Sequence, residues 1–263
     1  STPYGALITM TGSDATFNMY DGIIIGGEAS GATGRGGSVW MTDTTKFCLR
    51  GGTIKNGKAG NAGGNICLEK QAMFTMHGGK IADGFAAGEL GGGNVYMDEY
   101  TNGSSFTMHS GTISGGKAVS DGGNIRMNFG AAFVLNNGTI KDGVAGDTTV
   151  QNYTCGGNVH SFGTFNMHGG IIENGSIGNG GSMGGNVSLY NTTARFNMAG
   201  GIIRGGSCRM WGGSNVRVGT GTFHISGGMV DGTGANNSSI IVDGNPGYLM
   251  VDGTGKCLGE ILP

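Results

Sequence analysis

One short pattern recurs eight times along the 263-residue chain. Each copy begins with a phenylalanine, and an isoleucine or valine follows seven residues later, from Ile24 in the first copy to Val230 in the last. The starting residues are Phe17, Phe47, Phe74, Phe106, Phe133, Phe165, Phe196 and Phe223. The copies begin 27 to 32 residues apart. This period predicts a repeat architecture, in which each unit is stable only against its neighbours.

Three short runs in each copy alternate apolar and polar residues between glycines. Alternation with period two is typical of a strand, because successive side chains point to opposite faces. A sustained helical period is absent, and glycine costs a helix about 1 kcal/mol per position. The sequence therefore predicts an all-β fold: a right-handed parallel β-helix (solenoid) of about eight to nine coils with three short strands per coil.

The inward residues of this β-helix follow from the alternation. The first wall uses Val39, Met41, Ile66, Leu68, Val95, Met97, Ile125 and Met127, the second uses the phenylalanines with Met19, Met76 and Met108, and the third uses the column from Ile24 to Val230. A "GGN" or similar block precedes most phenylalanines and predicts a corner where glycine takes a positive φ. There we expect a hydrogen-bonded polar ladder of Ser38, Asn65, Asn94, Asn124, Asn158, Asn186 and Asn215.

Composition argues against several classes of function. The net charge of −2 gives no electrostatic basis for binding nucleic acid or an anionic membrane. No apolar run approaches the roughly 20 residues that span a bilayer, so no membrane insertion is expected. The five cysteines are odd in number and lack CxxC spacing, which argues against a zinc site and a full disulfide framework. The calcium-binding nonapeptide of β-helices is also absent. We therefore expect no metal and no cofactor.

The repeats of the form "F-x-M-x-G-G-x-I-x-x-G" followed by "G-G-N-V" resemble those of secreted, pectin-lyase-like parallel β-helix proteins and adhesin-like surface proteins of gut anaerobic bacteria. The resemblance covers about Met10 to Asp231. It is specific for architecture but weak for activity, because that superfamily includes polysaccharide lyases, glycosidases, adhesins and passive stalks. It implies an extracellular protein, secreted or on the cell surface. We expect residues 1–263 to form one β-helix domain, a module of a larger protein whose neighbouring modules are its partners.

The outward column of the first wall is the candidate binding surface. It reads Trp40, Cys67, Tyr96, Arg126, His160, Ser188 and Arg217, and we expect it to face solvent. Aromatic rings beside polar groups suit carbohydrate, although single exposed aromatics are also ordinary on β-surfaces. The partner would be a polysaccharide or a host or cell-surface glycan. The expected binding residues are Trp40, Tyr96, Asp98, Tyr100, Arg126, Phe129, His160 and Arg217.

Two other functions remain open. Glu69 and Asp98 would lie on adjacent coils about 4.8 Å apart, with Arg126 and His160 on the next coils. Such a set could serve a polysaccharide lyase or glycoside hydrolase. No cluster of three or more acids occurs there, so our first hypothesis is a non-catalytic adhesion or carbohydrate-binding module. The third hypothesis is a passive spacer or filament subunit.

Three similar stretches place a histidine after methionine, at His77, His109 and His168. Aligned by coil, the same position holds Tyr20, Arg50, His77, His109, Asn136, His168, Ala199 and Ser226. His168 lies two coils beyond His109, so the three imidazoles cannot meet on one ion. We interpret this position as a variable outward slot of the repeat.

Overall fold

The chain is a stack of short parallel strands. The computed structural model describes residues 7–98, 103–146, 154–178, 183–208, 213–233 and 238–262. Across these ranges it is an all-β parallel solenoid of about eight turns, with three or four strands per turn. Equivalent strands of successive turns pair in register, so Phe74 lies beside Phe106 and Ile81 beside Ile113. The predicted fold class is confirmed. The described residues include no helix long and apolar enough to cross a membrane.

Three extended sheets form the walls of the solenoid. The first wall contains Ile8–Met10, Val39–Met41, Ile66–Leu68, Val95–Met97, Ile125–Met127, Val159–Ser161, Val187–Leu189, Val216–Val218, Ile240–Val242 and Ile261–Leu262. The second contains Thr16–Met19, Lys46–Leu49, Met73–Met76, Ser105–Met108, Ala132–Leu135, Thr164–Met167, Arg195–Met198, Thr222–Ile225 and Tyr248–Val251. The third contains Ile23–Ile25, Thr53–Lys55, Lys80–Ala82, Thr112–Ser114, Thr139–Lys141, Ile171–Glu173, Ile202–Arg204, Met229–Asp231 and Lys256–Leu258.

A fourth, shorter sheet of six strands adds to the three predicted walls, so the described turns have three or four strands each. Its strands are Glu28–Ala29, Lys58–Ala59, Phe85–Ala86, Lys117–Ala118, Val144–Ala145 and Ser176–Ile177. Each strand has two residues, which is too short for alternation to be recognised. The second residue of each is small or apolar and buried, so this sheet adds its own column of side chains.

Columns of like side chains fill the interior. Neighbouring rings in the phenylalanine column have centroids 4.4–5.1 Å apart. From Phe47 to Phe223 each ring is at most 1% exposed, whereas Phe17 in the first turn is 37% exposed. The predicted inward residues of the other walls are buried as well, except that Ile24 in the first turn is half-buried. The interior therefore confirms the alternation pattern.

The polar ladder forms at the predicted corner. Each asparagine from Asn65 to Asn186 donates its side-chain N–H to the Oδ1 of the next asparagine, at 2.7–2.8 Å. The same amide nitrogen also donates to a backbone carbonyl of the third wall or its end, as Asn65 does to Ala82 at 2.7 Å. The Oδ1 accepts from a glycine N–H of the same turn, as Asn65 does from Gly57 at 2.8 Å. The ladder thus satisfies the backbone groups that the bend leaves unpaired.

Candidate functional site

The outward face of the first wall is covered by a second layer. The residue immediately before the glycine pair of each "GGN" or "GGS" corner contributes to this layer. We call these residues the cover column: Arg35, Ala62, Gly91, Asp121, Cys155 and Met183. Isolated parallel bridges join Arg35 to Ala62, Ala62 to Gly91, and Cys155 to Met183. The following glycine lets the cover approach closely, since a Cβ on Gly36 would lie 3.1 Å from the Cβ of Cys67.

The expectation that this wall presents its outward column to solvent is therefore wrong. Tyr96 is fully buried, His160 is 2% exposed, Arg126 is 8% exposed and Trp40 is 9% exposed. Trp40 packs with Cys67, Tyr96, Ala62 and Leu90 in an apolar cluster separate from the interior. Alternation shows which side chains point away from the interior. The segments that precede the first-wall strands determine whether water reaches those side chains.

Arg35 lies between the two acids proposed for catalysis. Its Nη1 is 3.1 Å from Glu69 Oε1 and 2.7 Å from Asp98 Oδ2. Tyr96 donates its hydroxyl hydrogen to Asp98 Oδ1 at 2.9 Å, and Asn128 Nδ2 donates to the Tyr96 oxygen at 2.8 Å. Burial raises the pKa of Tyr96, so its hydroxyl remains a donor. The two carboxylates are thus tied into a structural network.

This network occupies the space that a glycosidase needs. A retaining pair of carboxyl groups holds the scissile bond between a nucleophile and a proton donor. Here one guanidinium nitrogen contacts both carboxylates, and the side chains of Glu69 and Asp98 are only 13% and 15% exposed. The structure therefore brings the predicted pair together, but with Arg35 rather than a substrate site between them.

A thiol, an imidazole and a carboxylate meet two turns farther along the same layer. One potential ligand atom from each of Asp121, Cys155 and His160 lies within 4.8 Å of the other two. Asp121 Oδ1 accepts from the Cys155 backbone N–H at 2.8 Å, and Asp121 Oδ2 is 2.6 Å from Arg126 Nη1. Arg217 Nη1 donates to Cys155 Sγ at 3.1 Å. These three residues can supply oxygen, sulfur and nitrogen ligands to a metal.

Burial sets the protonation of this cluster. It lowers the pKa of His160 to about 3; Asp121 opposes this shift, and Arg126 and Arg217 add to it. The imidazole is therefore neutral at physiological pH. Burial also raises the pKa of the Cys155 thiol, and the positive charge of Arg217 opposes that shift. A cation at the cluster would meet a free imidazole lone pair and a thiol beside a hydrogen-bond donor.

An aromatic rim follows the ends of the first-wall strands, and it consists of Phe129, Phe162 and Tyr190. Ring centroids of Phe129 and Phe162 are 5.4 Å apart, and those of Phe162 and Tyr190 are 6.2 Å apart. Arg126 lies 4.9 Å over the Phe162 ring, and Arg217 lies 5.1 Å over the Tyr190 ring. Tyr190 is 51% exposed, while the two phenylalanines are half-buried. Within the described part of this layer, the rim is an aromatic surface that water reaches.

The predicted binding residues are thus divided among several environments. Trp40 lies in the apolar cluster, Tyr96 and Asp98 in the Arg35 network, Arg126, His160 and Arg217 around Cys155, Phe129 on the rim, and Tyr100 outside the described residues. Sequence reasoning missed Arg35, Asp121 and Cys155. Their shared signal is a fixed position directly before the glycine pair, although the segments leading to it vary in length.

The histidine column is a surface feature, as predicted. The rings of His77 and His109 stack with centroids 4.9 Å apart. Asn136 separates His109 from His168. Its Nδ2 is 3.2 Å from Nδ1 of His109, and its Oδ1 is 2.9 Å from Nδ1 of His168. The three imidazoles therefore do not converge.

No protein-family model, curated protein or solved structure matches the chain. What the chain does must therefore follow from its own side chains.

Proposed function

We propose that this chain is a non-catalytic, extracellular adhesion or carbohydrate-binding module whose binding surface is the aromatic rim. The rim is the observation that carries the proposal. It places Phe129, Phe162 and Tyr190 on successive turns with two arginines against the rings. A ring can stack on the apolar face of a sugar, and the arginines packed against the rings hold them in place. The partner is a polysaccharide or a cell-surface glycan.

Two further observations support this proposal. Arg35 fills the space between Glu69 and Asp98, which disfavours the alternative of a polysaccharide lyase or glycoside hydrolase. The repeat resembles that of pectin-lyase-like β-helix proteins and adhesin-like bacterial surface proteins, which supports a secreted or surface location. Neighbouring modules of a longer parent chain would be further partners.

Replacement of Tyr190 by alanine is expected to weaken glycan binding about 10-fold or more, because an exposed aromatic anchor is lost. The measurement is a glycan array of pectic, other plant and mucin polysaccharides, followed by calorimetry on the best ligand. Tyr20→Ala is the matched control. Tyr20 is 69% exposed and pairs with Arg50 at 5.5 Å, as Tyr190 pairs with Arg217, but it lies outside the rim. Equal losses in the two variants would contradict the assignment of the rim.

A cleavage assay separates the alternatives. We expect no release of reducing ends or unsaturated products from the same polysaccharides. Cleavage that disappears in Asp98→Asn would instead assign catalysis to the Glu69–Asp98 pair. If the wild-type protein shows neither binding nor cleavage, the chain is a passive spacer and the proposal is wrong.

A further inference from the structure

We propose that Asp121, Cys155 and His160 form a binding site for a divalent transition metal, with Zn²⁺ as the ion that fits best. The three side chains come from two neighbouring turns, because Asp121 and Cys155 hold the same cover-column position one repeat apart. The Cys155 backbone N–H donates to Asp121 Oδ1 and fixes the spacing between these turns. This site goes beyond the carbohydrate binding proposed above and does not depend on it.

The types of donor atom select the ion. A thiolate and an imidazole suit Zn²⁺ and Co²⁺, whereas Ca²⁺ and Mg²⁺ need several oxygen ligands. Tetrahedral Zn²⁺ with bonds of about 2.0–2.3 Å places its ligand atoms roughly 3.3–3.8 Å apart. His160 Nε2 is already 3.9 Å from Asp121 Oδ2, and the cluster as a whole spans at most 4.8 Å. Small side-chain rotations therefore complete the site, and three protein ligands leave one position for water.

The imidazole of His160 is buried beside Asp121. Its side chain is only 3% exposed, and its Nδ1 has no hydrogen-bond partner among the described residues. Buried imidazoles normally have both nitrogens satisfied, so the present arrangement leaves hydrogen-bonding capacity unused. The second nitrogen faces Asp121 at a distance too long for a hydrogen bond. A metal between these two side chains would bind Nε2, while Nδ1 would keep no partner among the described residues.

Two arginines lie beside the cluster, and each pairs with a carboxylate, which for Arg126 is that of the proposed ligand Asp121. Arg126 pairs with Asp121 Oδ2, which has a second lone pair available. Arg217 pairs with Asp243, with Nη2 2.9 Å and Nε 3.0 Å from its oxygens. Arg217 also donates to Cys155 Sγ at 3.1 Å. In the metal complex this donor would orient the sulfur ligand.

Cobalt titration tests the site directly. We expect the reduced wild-type protein to bind one Co²⁺ per chain with a sulfur-to-cobalt charge-transfer band, and Zn²⁺ to displace it. Cys155→Ser should abolish the band. His160→Gln should weaken Co²⁺ affinity by about 10- to 100-fold or more, since even the loss of a residue that only orients a ligand costs that much. Circular dichroism would confirm that each variant is folded.

Cys67→Ser is the matched control, since Cys67 is buried on the same wall but lies beside Glu69 and Tyr96 rather than a histidine. It should retain the charge-transfer band. Cobalt bound only by the exposed pair His77 and His109 would show no such band. A wild-type spectrum without the band, or equal Co²⁺ affinity in wild-type protein and Cys155→Ser, would overturn the proposal even if the histidine variant failed to fold.

Discussion

Replacement of Phe133 by alanine is expected to lower the free energy of unfolding by about 3–5 kcal/mol. The Phe133 ring is fully buried, and its centroid lies 5.0 Å from the rings of both Phe106 and Phe165. Hydrogen bonds between turns fix the backbone of the wall that carries the ring, so this wall moves little into the space that the ring leaves. The variant therefore loses both the burial of the ring and its packing contacts. Urea unfolding followed by circular dichroism measures the effect.

Phe17→Ala is the control for this prediction. Phe17 has the same position in the repeat, but it is 37% exposed, and among the described residues its ring contacts only that of Phe47, at 4.8 Å. We expect this variant to lose about 1 kcal/mol or less. Similar losses at Phe17 and Phe133 would show that the phenylalanine column is not the core of the fold.

Replacement of Asn124 by alanine is expected to cost about 2–6 kcal/mol of unfolding free energy. Its Oδ1 accepts hydrogen bonds from the Gly116 backbone N–H at 2.9 Å and from Asn94 Nδ2 at 2.7 Å. Its Nδ2 donates to the Lys141 carbonyl and to Asn158 Oδ1, at 2.8 and 2.7 Å. The alanine variant leaves at least two buried N–H donors unpaired, and each costs about 1–3 kcal/mol. Urea unfolding again gives the value.

The matched control is Asn197→Ala. Asn197 also donates to a neighbouring asparagine, Asn166 Oδ1, at 2.9 Å, but it lies on the exposed face of the second wall. Water replaces that bond, so we expect a change within about 0.5 kcal/mol. A loss at Asn197 as large as the loss at Asn124 would mean that the buried ladder has no special role in stability.

The interior of this fold was predictable because it uses residues at fixed spacings. The interval from Phe17 to Ile24 recurs in every repeat, and the structure places both columns inside. The asparagines after each glycine pair were predictable for the same reason. In both cases the same residue type recurs in successive repeats, which indicates that these side chains share one environment in the fold.

The outer layer was not predicted because its columns change residue type from turn to turn. The second residue of each strand in the fourth sheet lies five residues after the third-wall isoleucine of the same turn. Ala59 follows Ile54 in this way, and Ile177 follows Ile172. That spacing is constant, but a two-residue strand shows no alternation. The cover column mixes charged, small and sulfur-containing residues, so it carries no hydropathy signal. Side-chain clusters such as Asp121 with Cys155 become visible only when successive turns are stacked.

Among the described residues, a cover buries most of the outward column of the first wall, and the aromatic rim at the strand ends stays accessible. Alkylation of the native cysteines, read by mass spectrometry, tests this claim most directly. Cys48 and Cys67 hold equivalent outward positions on the second and first walls, yet Cys48 is half-buried and Cys67 is fully buried. Burial also raises the pKa of the Cys67 thiol, which slows its reaction further.

We predict that Cys48 and the half-buried Cys257 react in the folded protein, while Cys67, Cys155 and Cys208 react only after denaturation. Alkylation of Cys67 at the rate of Cys48 in the native state would contradict the cover.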